Sequence, residues 1–255
     1  MEVIRSRRNP LLLQVRQLLE RSRERQTAGL AVLEGDHLVD DWLAAGRPID
    51  RLLLAASRAD EAGTWTCRGA IPQLVDDDCL AVVSPAGSSP GVLAVVSIPH
   101  PQPATAGSIV ALDMVQDPGN VGTLIRTAAA CGFDQVWLGR GCADAWSWKV
   151  LRAGQGGHAL LQVCQGIDLP AALALHPGRK LAFIPRDGVP LYEADLRGDI
   201  VLILGGEGAG LSHATSGEAD LQVTIPMPGS AESLNVAVAA AIAMYERVRQ
   251  SLTRA

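Results

Sequence analysis

The stretch SIVALDMVQDPGNVGTLIRTAAACG, residues 108–132, decides the fold class of this chain. It opens with SIVALDMV (108–115), an apolar run with the length and branched content of a strand buried on both faces. Asp117, Pro118 and Gly119 follow as a turn, and Asn120 is placed to cap a helix. That helix runs to Gly132, a stop signal. One feature does not belong to an ordinary helix. Arg126 sits within TLIRTAAAC, a context too apolar for a solvated face, so it is either a surface charge or part of a site.

The same rhythm continues downstream. QVWLG (135–139), ALLQVC (159–164), LAFIP (181–185), IVLILGG (200–206) and LQVTIPM (221–227) read as further strands, with a helix around 170–175 and a long closing helix in SLNVAVAAAIAMYERVRQSL (233–252). Strands alternating with helices imply a mostly parallel sheet covered on both faces, with ligands bound at the carboxyl ends of its strands. Upstream, NPLLLQVRQLLERSRERQ (9–26) begins with an Asn-Pro helix start and carries an apolar stripe at 11, 12, 15, 18 and 19. A strand at 30–33, a helix at 36–45, a strand at 49–55 and another at 91–98 complete a smaller α/β unit. PHPQPATAG (99–107) is the linker candidate. The expected organisation is a first domain over 1–100, a linker over 101–107 and a second domain over 108–255.

Composition narrows the function classes. A hydrophobic content of 48% in 255 residues supports a real core and argues against disorder. The five cysteines, at 67, 79, 131, 142 and 164, form no C-x-x-C, so neither a disulfide scaffold nor a structural zinc site is indicated, and no metal is expected. The first residues, MEVIRSRRNP, lack the apolar core of a secretory signal, and no apolar run reaches the length of a membrane span. A cytoplasmic setting without membrane contact is the expectation. Net charge is −5, yet residues 1–25 hold seven Arg against three Glu. A basic arm on an acidic body suits a localised anionic contact; a solvated amphipathic helix explains the same charges.

Polar and glycine-rich residues collect at three strand ends: the opening turn, LILGGEGAGLS (202–212), and TIPMPGSAESLNVAVAAA (224–241). Four glycines within 205–210 bring the backbone close to something and expose N–H groups. The loop is neither a Walker A nor a G-x-G-x-x-G, since Leu211 stands where the third glycine would be. Glu207 among those amides repels phosphate but accepts hydroxyls or orients a cation. In the third loop, Pro226 and Pro228 stiffen the backbone, Ser230 or Ser233 is placed to cap the long helix, and Asn235 falls in its first turn. A further segment, DAWSWKVLRAGQGGHA (144–159), offers Lys149, Arg152 and His158; Arg152 can hold an anion, and His158 reads as a structural histidine.

NVGTLIRTAAACGF, LILGGEGAGLS and IPMPGSAESLNVAVAAAIAMYE together resemble the three ordered motifs of the SpoU/TrmH family of RNA ribose 2'-O-methyltransferases. The match covers roughly 108–250. RNPLLLQVRQLL, VLEGDHLVDDWLAAG and SSPGVLAVV resemble landmarks of the substrate-binding domain often joined to it. The resemblance implies a parallel α/β domain closed by a deep trefoil knot, an arrangement periodicity alone would not suggest. It also implies an L30e-like first domain that grips RNA, S-adenosylmethionine bound by the knot loops, and a homodimer with its active site near the subunit interface.

Matched position by position, the resemblance makes Asn120, Arg126, Glu207, Ser233 and Asn235 the catalytic set. The cofactor is expected against Leu204, Gly205, Gly206, Glu207, Ile225, Met227 and Leu234. RNA is expected at the basic arm (Arg5, Arg7, Arg8) and at Lys149 and Arg152. Trp148 and Gly154 depart from the proline and serine of many relatives, outside the three motifs. The reaction implied is methyl transfer from S-adenosylmethionine to a ribose 2'-hydroxyl, with ribosomal RNA favoured over transfer RNA. Two rivals come from other classes: a noncatalytic RNA-binding protein that kept the fold, and a Rossmann-type nicotinamide oxidoreductase. Cofactor-binding assays separate them.

Overall fold

The computed structural model describes residues 2–85, 90–208 and 210–252. Ser88 and Ser89 of the SSPGVLAVV landmark and Ala209 of the glycine-rich loop lie outside the described residues. In chain order the elements are β1 (Val3–Ile4), α1 (Pro10–Glu20), α2 (Ser22–Ala28), β2 (Leu30–Glu34), α3 (Asp36–Ala44), β3 (Arg51–Ala55), α4 (Ala62–Cys67), β4 (Pro72–Val75), α5 (Asp77–Val83) and β5 (Val92–Ser97). They continue with β6 (Ile109–Asp113), α6 (Pro118–Ala130), β7 (Gln135–Gly139), α7 (Trp148–Gly154), α8 (Gly157–Leu160), β8 (Gln162–Ile167) and α9 (Leu169–Leu175). The last are β9 (Arg179–Phe183), β10 (Val189–Pro190), β11 (Ile200–Gly205), α10 (His213–Gly217), β12 (Leu221–Thr224) and α11 (Val236–Leu252). Among the described residues no helix is long and apolar enough to cross a membrane.

Two compact units result. The first comprises the chain up to Pro99 together with Trp146–Ala159, and the second His100–Ala145 with Leu160 onward. The first unit holds a five-stranded sheet in the order β1-β4-β3-β5-β2, in which β5 runs antiparallel to both neighbours. Its core joins the stripe Leu12, Val15, Leu18 and Leu19 of α1 to Val32, Leu53, Val75 and Leu93 of the sheet. The helix read over 9–26 is in fact two, because Arg21 is extended (φ −124°, ψ 116°). The chain then folds back, and the buried Arg25 donates to the carbonyls of Leu18 and Leu19, which the end of α1 leaves without helical partners. Arg25 is therefore no part of a basic surface arm. The less regular stretch between β3 and β5 contains α4, β4 and α5, elements too short to show a period.

Trp146–Ala159 clusters with the first unit although it interrupts the second in sequence. Trp146 meets Trp42 of α3 edge-on at 6.1 Å between ring centres, and the His158 ring lies tilted 5.2 Å from that of Trp146. Trp148 packs against the α1 core. Arg47 stacks over Trp42 and donates to the carbonyl of Ala159 at 3.2 Å.

The second unit is a seven-stranded, wholly parallel sheet ordered β10-β12-β9-β11-β6-β7-β8. Every residue of β6 is buried, as a central parallel strand requires. The proline-rich stretch read as a linker is pinned here: the Gln135 side chain accepts from the Ala104 amide and donates to the Gln102 carbonyl. Strand β8 begins at Gln162 rather than Ala159, because Gly157–Leu160 forms the short helix α8. Helix α6 buries Val121, Leu124, Ile125 and Ala128, the spacing of one helical face. Its cap is Asp117, whose carboxylate accepts from the Asn120 amide at 2.8 Å, with Pro118 in the first turn. Asn120 is thus one turn inside the helix, and its side chain is free for other work.

Candidate functional site

The site is built at the carboxyl ends of β6 and β11, adjacent in the sheet. The glycine-rich loop leaving β11 is fastened to the end of β6 by two bonds from Asp113. Its carbonyl accepts from the Gly206 amide at 2.8 Å and its buried carboxylate from the Ser212 amide at 2.9 Å. The loop then closes on itself, with the Gly210 amide donating to the Gly206 carbonyl. Glycine is required at two positions by contact alone. A Cβ on Gly205 would fall 2.3 Å from the Gly210 carbonyl carbon, and one on Gly206 2.1 Å from the Met114 oxygen. Sequence reading missed Asp113; the signal was a lone carboxylate ending an apolar central strand, VALD.

This folding presents Glu207 to the first turns of two helices. Its Oε1 accepts from Asn120 Nδ2 at 2.6 Å and from Asn235 Nδ2 at 3.0 Å. Asn235 Nδ2 also donates to Asn120 Oδ1 at 3.1 Å, closing a ring of three side chains from three separate motifs. The other end of the Asn235 amide caps α11: Oδ1 accepts from the amides of Ala237 and Val238 at 2.9 and 3.3 Å. The cap expected from Ser230 or Ser233 is therefore Asn235, and the helix starts at Val236. A carboxylate between two helix N-termini is also favoured by their dipoles.

Beside the ring lies a cavity of about 500 Å³. All seven residues expected against the cofactor line it: Leu204, Gly205, Gly206, Glu207, Ile225, Met227 and Leu234, joined by Ser233. Phe183, Ile184, Pro185 and Glu232 are lining residues that sequence reading missed; LAFIP read only as a strand. The wall mixes apolar side chains with glycine backbone and two carboxylates, and among the described residues holds no Lys, Arg or His. That lining fits a ligand that joins a flat neutral base to a cationic sulfonium and carries no phosphate, the chemistry of S-adenosylmethionine. It does not fit a pyrophosphate.

Arg126 is not brought to this ring. It is exposed on α6 and opens into a different groove of about 670 Å³ between α6 and α11, sharing no lining residue with the cavity. Its context reads as too apolar for a solvated face, yet within one chain α6 turns it outward, opposite the buried face. Among the described residues it makes no hydrogen bond or ion pair. Tyr192 and Tyr245, 62% and 70% exposed, line the same groove. Arg5, Arg7, Arg8, Lys149 and Arg152 are all exposed, and all belong to the first unit.

Residues 107–245 match the SpoU rRNA Methylase family, and residues 9–94 the MRM3-like substrate binding domain. The 23S rRNA (guanosine(2553)-2'-O)-methyltransferase RlmP of Bacillus subtilis is 35% identical over 230 residues, 89% of this chain and 92% of that protein. An AdoMet-bound rRNA methyltransferase from Sinorhizobium meliloti superposes with a TM-score of 0.86 at 27% identity, over 97% of each chain. The SpoU methyltransferase AviRb of Streptomyces viridochromogenes, also solved with AdoMet, gives 0.84 at 28% identity over 96% of this chain and 100% of that one. With more than half of its length matched and this ring of motif residues assembled, the chain belongs to the SpoU rRNA Methylase family.

Proposed function

We propose that this protein transfers a methyl group from S-adenosylmethionine to the ribose 2'-hydroxyl of a guanosine in 23S ribosomal RNA, in the cytoplasm. The observation that carries the reading is the cavity beside the Asn120–Glu207–Asn235 ring, acidic and free of basic side chains among the described residues. The names of its relatives support the same substrate class.

When bound, S-adenosylmethionine supplies an electrophilic methyl on a sulfonium. The chain does the rest. Leu204, Ile225, Met227 and Leu234 would hold the cofactor's base, and Gly205 and Gly206 would leave the backbone open to it. Asn120, Glu207 and Asn235 hold the loop in register, and Ser233 and Asn235 orient the ribose. Arg126 clamps an RNA phosphate and stabilises negative charge growing on the 2'-oxygen. The hydroxyl proton leaves to a phosphate oxygen or to water.

A homodimer completes this site. A second copy docked on the α6–α11 groove covers Tyr192 and Tyr245 and carries Arg126 to the partner's cavity. In the same reading the Ile225–Val236 segment threads the 205–212 loop as a trefoil knot. The first unit, with Arg5, Arg7, Arg8, Lys149 and Arg152, holds the RNA.

Mapping 2'-O-methyl positions in total RNA, with and without the gene, tests the proposal. Loss of one mark in 23S RNA, restored by the purified protein and S-adenosylmethionine, is expected. A mark lost from transfer RNA instead overturns the substrate, and no lost mark overturns the activity.

A further inference from the structure

Two carboxylates line the cavity, and they are not equivalent. Glu207 is occupied by the amide donors of Asn120 and Asn235. Glu232, on the loop before α11, makes no hydrogen bond or ion pair among the described residues, although it lines the same cavity. Its neighbour Ala231 is tied down: the carbonyl accepts from Arg186 Nη2 at 3.4 Å, bracing the loop. Glu232 is exposed, so its charge is met by no partner among the described residues and is available to a cation that enters the cavity it lines.

We propose that Glu232 recognises the positive charge of the methyl donor, through its sulfonium or its α-ammonium group. The inference rests on the S-adenosylmethionine reading above and adds a division of labour to it. Glu207 builds the site, and Glu232 selects the charge of what enters. The Ser233 hydroxyl follows directly in sequence, so the carboxylate also fixes where the cofactor's amino-acid portion lies relative to the ribose-facing residues.

Calorimetric titration of the full-length protein tests this with three probes: S-adenosylmethionine, S-adenosylhomocysteine and 5'-methylthioadenosine. The first carries both cationic groups, the second only the ammonium, the third neither. Glu232→Gln keeps the shape and removes the charge; it should weaken S-adenosylmethionine about tenfold, as loss of a charge-assisted contact does, and leave 5'-methylthioadenosine unchanged. An equal loss for S-adenosylhomocysteine assigns the ammonium; an unchanged value assigns the sulfonium. Glu232→Asp should recover part of the affinity. Equal weakening of all three probes, or no weakening of S-adenosylmethionine, overturns the inference while leaving the cofactor reading intact. Wild-type protein that binds none of the three overturns both.

Discussion

Asn235 performs two tasks with one amide group, and the tasks are separable. Its oxygen caps α11, while its nitrogen ties Glu207 to Asn120. Asn235→Ala loses both and should lower stability by about 1 kcal/mol, the usual worth of a cap. Asn235→Ser keeps a capping oxygen but has no amide donor. Thermal denaturation should therefore return close to wild type in Asn235→Ser, while methyl incorporation stays as low as in Asn235→Ala. Asp113 acts one step further back. Asp113→Ala leaves the Ser212 amide without its partner and should cost about 1–3 kcal/mol, read from urea unfolding. It should also weaken S-adenosylmethionine in titration, because the glycine-rich loop loses one of its two ties to the end of β6.

At the scale of elements, the parallel sheet was legible because central strands are continuous apolar runs: IVALD, QVWLG and IVLILG all stand where the sequence predicts them. The short elements between β3 and β5 were not, since a four-residue strand and helices of six and seven residues are too brief to carry a period. The site was legible as three polar loops at strand ends. Their joining was not, because the ring is made by pairs separated by 87, 115 and 28 positions. Nor does sequence order reveal that Trp146–Ala159 packs with the first unit; the Trp42–Trp146, Trp148–α1 and Arg47–Ala159 contacts do so. Trp146→Ala should cost about 3–5 kcal/mol, as a buried aromatic does. Denaturant unfolding of the full chain, followed by circular dichroism, reads that loss. The same segment carries Lys149 and Arg152 in the open. If both meet RNA phosphate, Lys149→Ala with Arg152→Ala should flatten the salt dependence of RNA binding by roughly one unit of slope per contact. An unchanged slope removes them from the RNA surface.

For the whole molecule, the separation of Arg126 from the Glu207 ring sets the decisive question. A single chain offers a cavity without its arginine and an arginine without a cavity. In the proposed dimer, two-fold association on the α6–α11 groove would supply each cavity from the other subunit, and an isologous interface would do so twice. Arg126→Ala alone should then leave S-adenosylmethionine affinity within a fewfold and abolish methylation, and Glu207→Ala should abolish methylation through the cavity. Neither variant distinguishes an arginine acting in its own subunit from one acting across the interface. Co-expression of the two variants with different tags does. If Arg126 serves the partner, the purified mixed dimer has one intact site, made of the Arg126→Ala chain's cavity and the Glu207→Ala chain's arginine, and should show about half the wild-type rate per dimer. If Arg126 serves its own cavity, every site in the mixed dimer lacks one group and the preparation stays inactive. Tyr245→Asp in the wild-type background provides the control: a charge in the groove should yield monomers by sedimentation that still bind S-adenosylmethionine and no longer methylate RNA. An active Tyr245→Asp monomer would return Arg126 to its own cavity and remove the need for a second subunit.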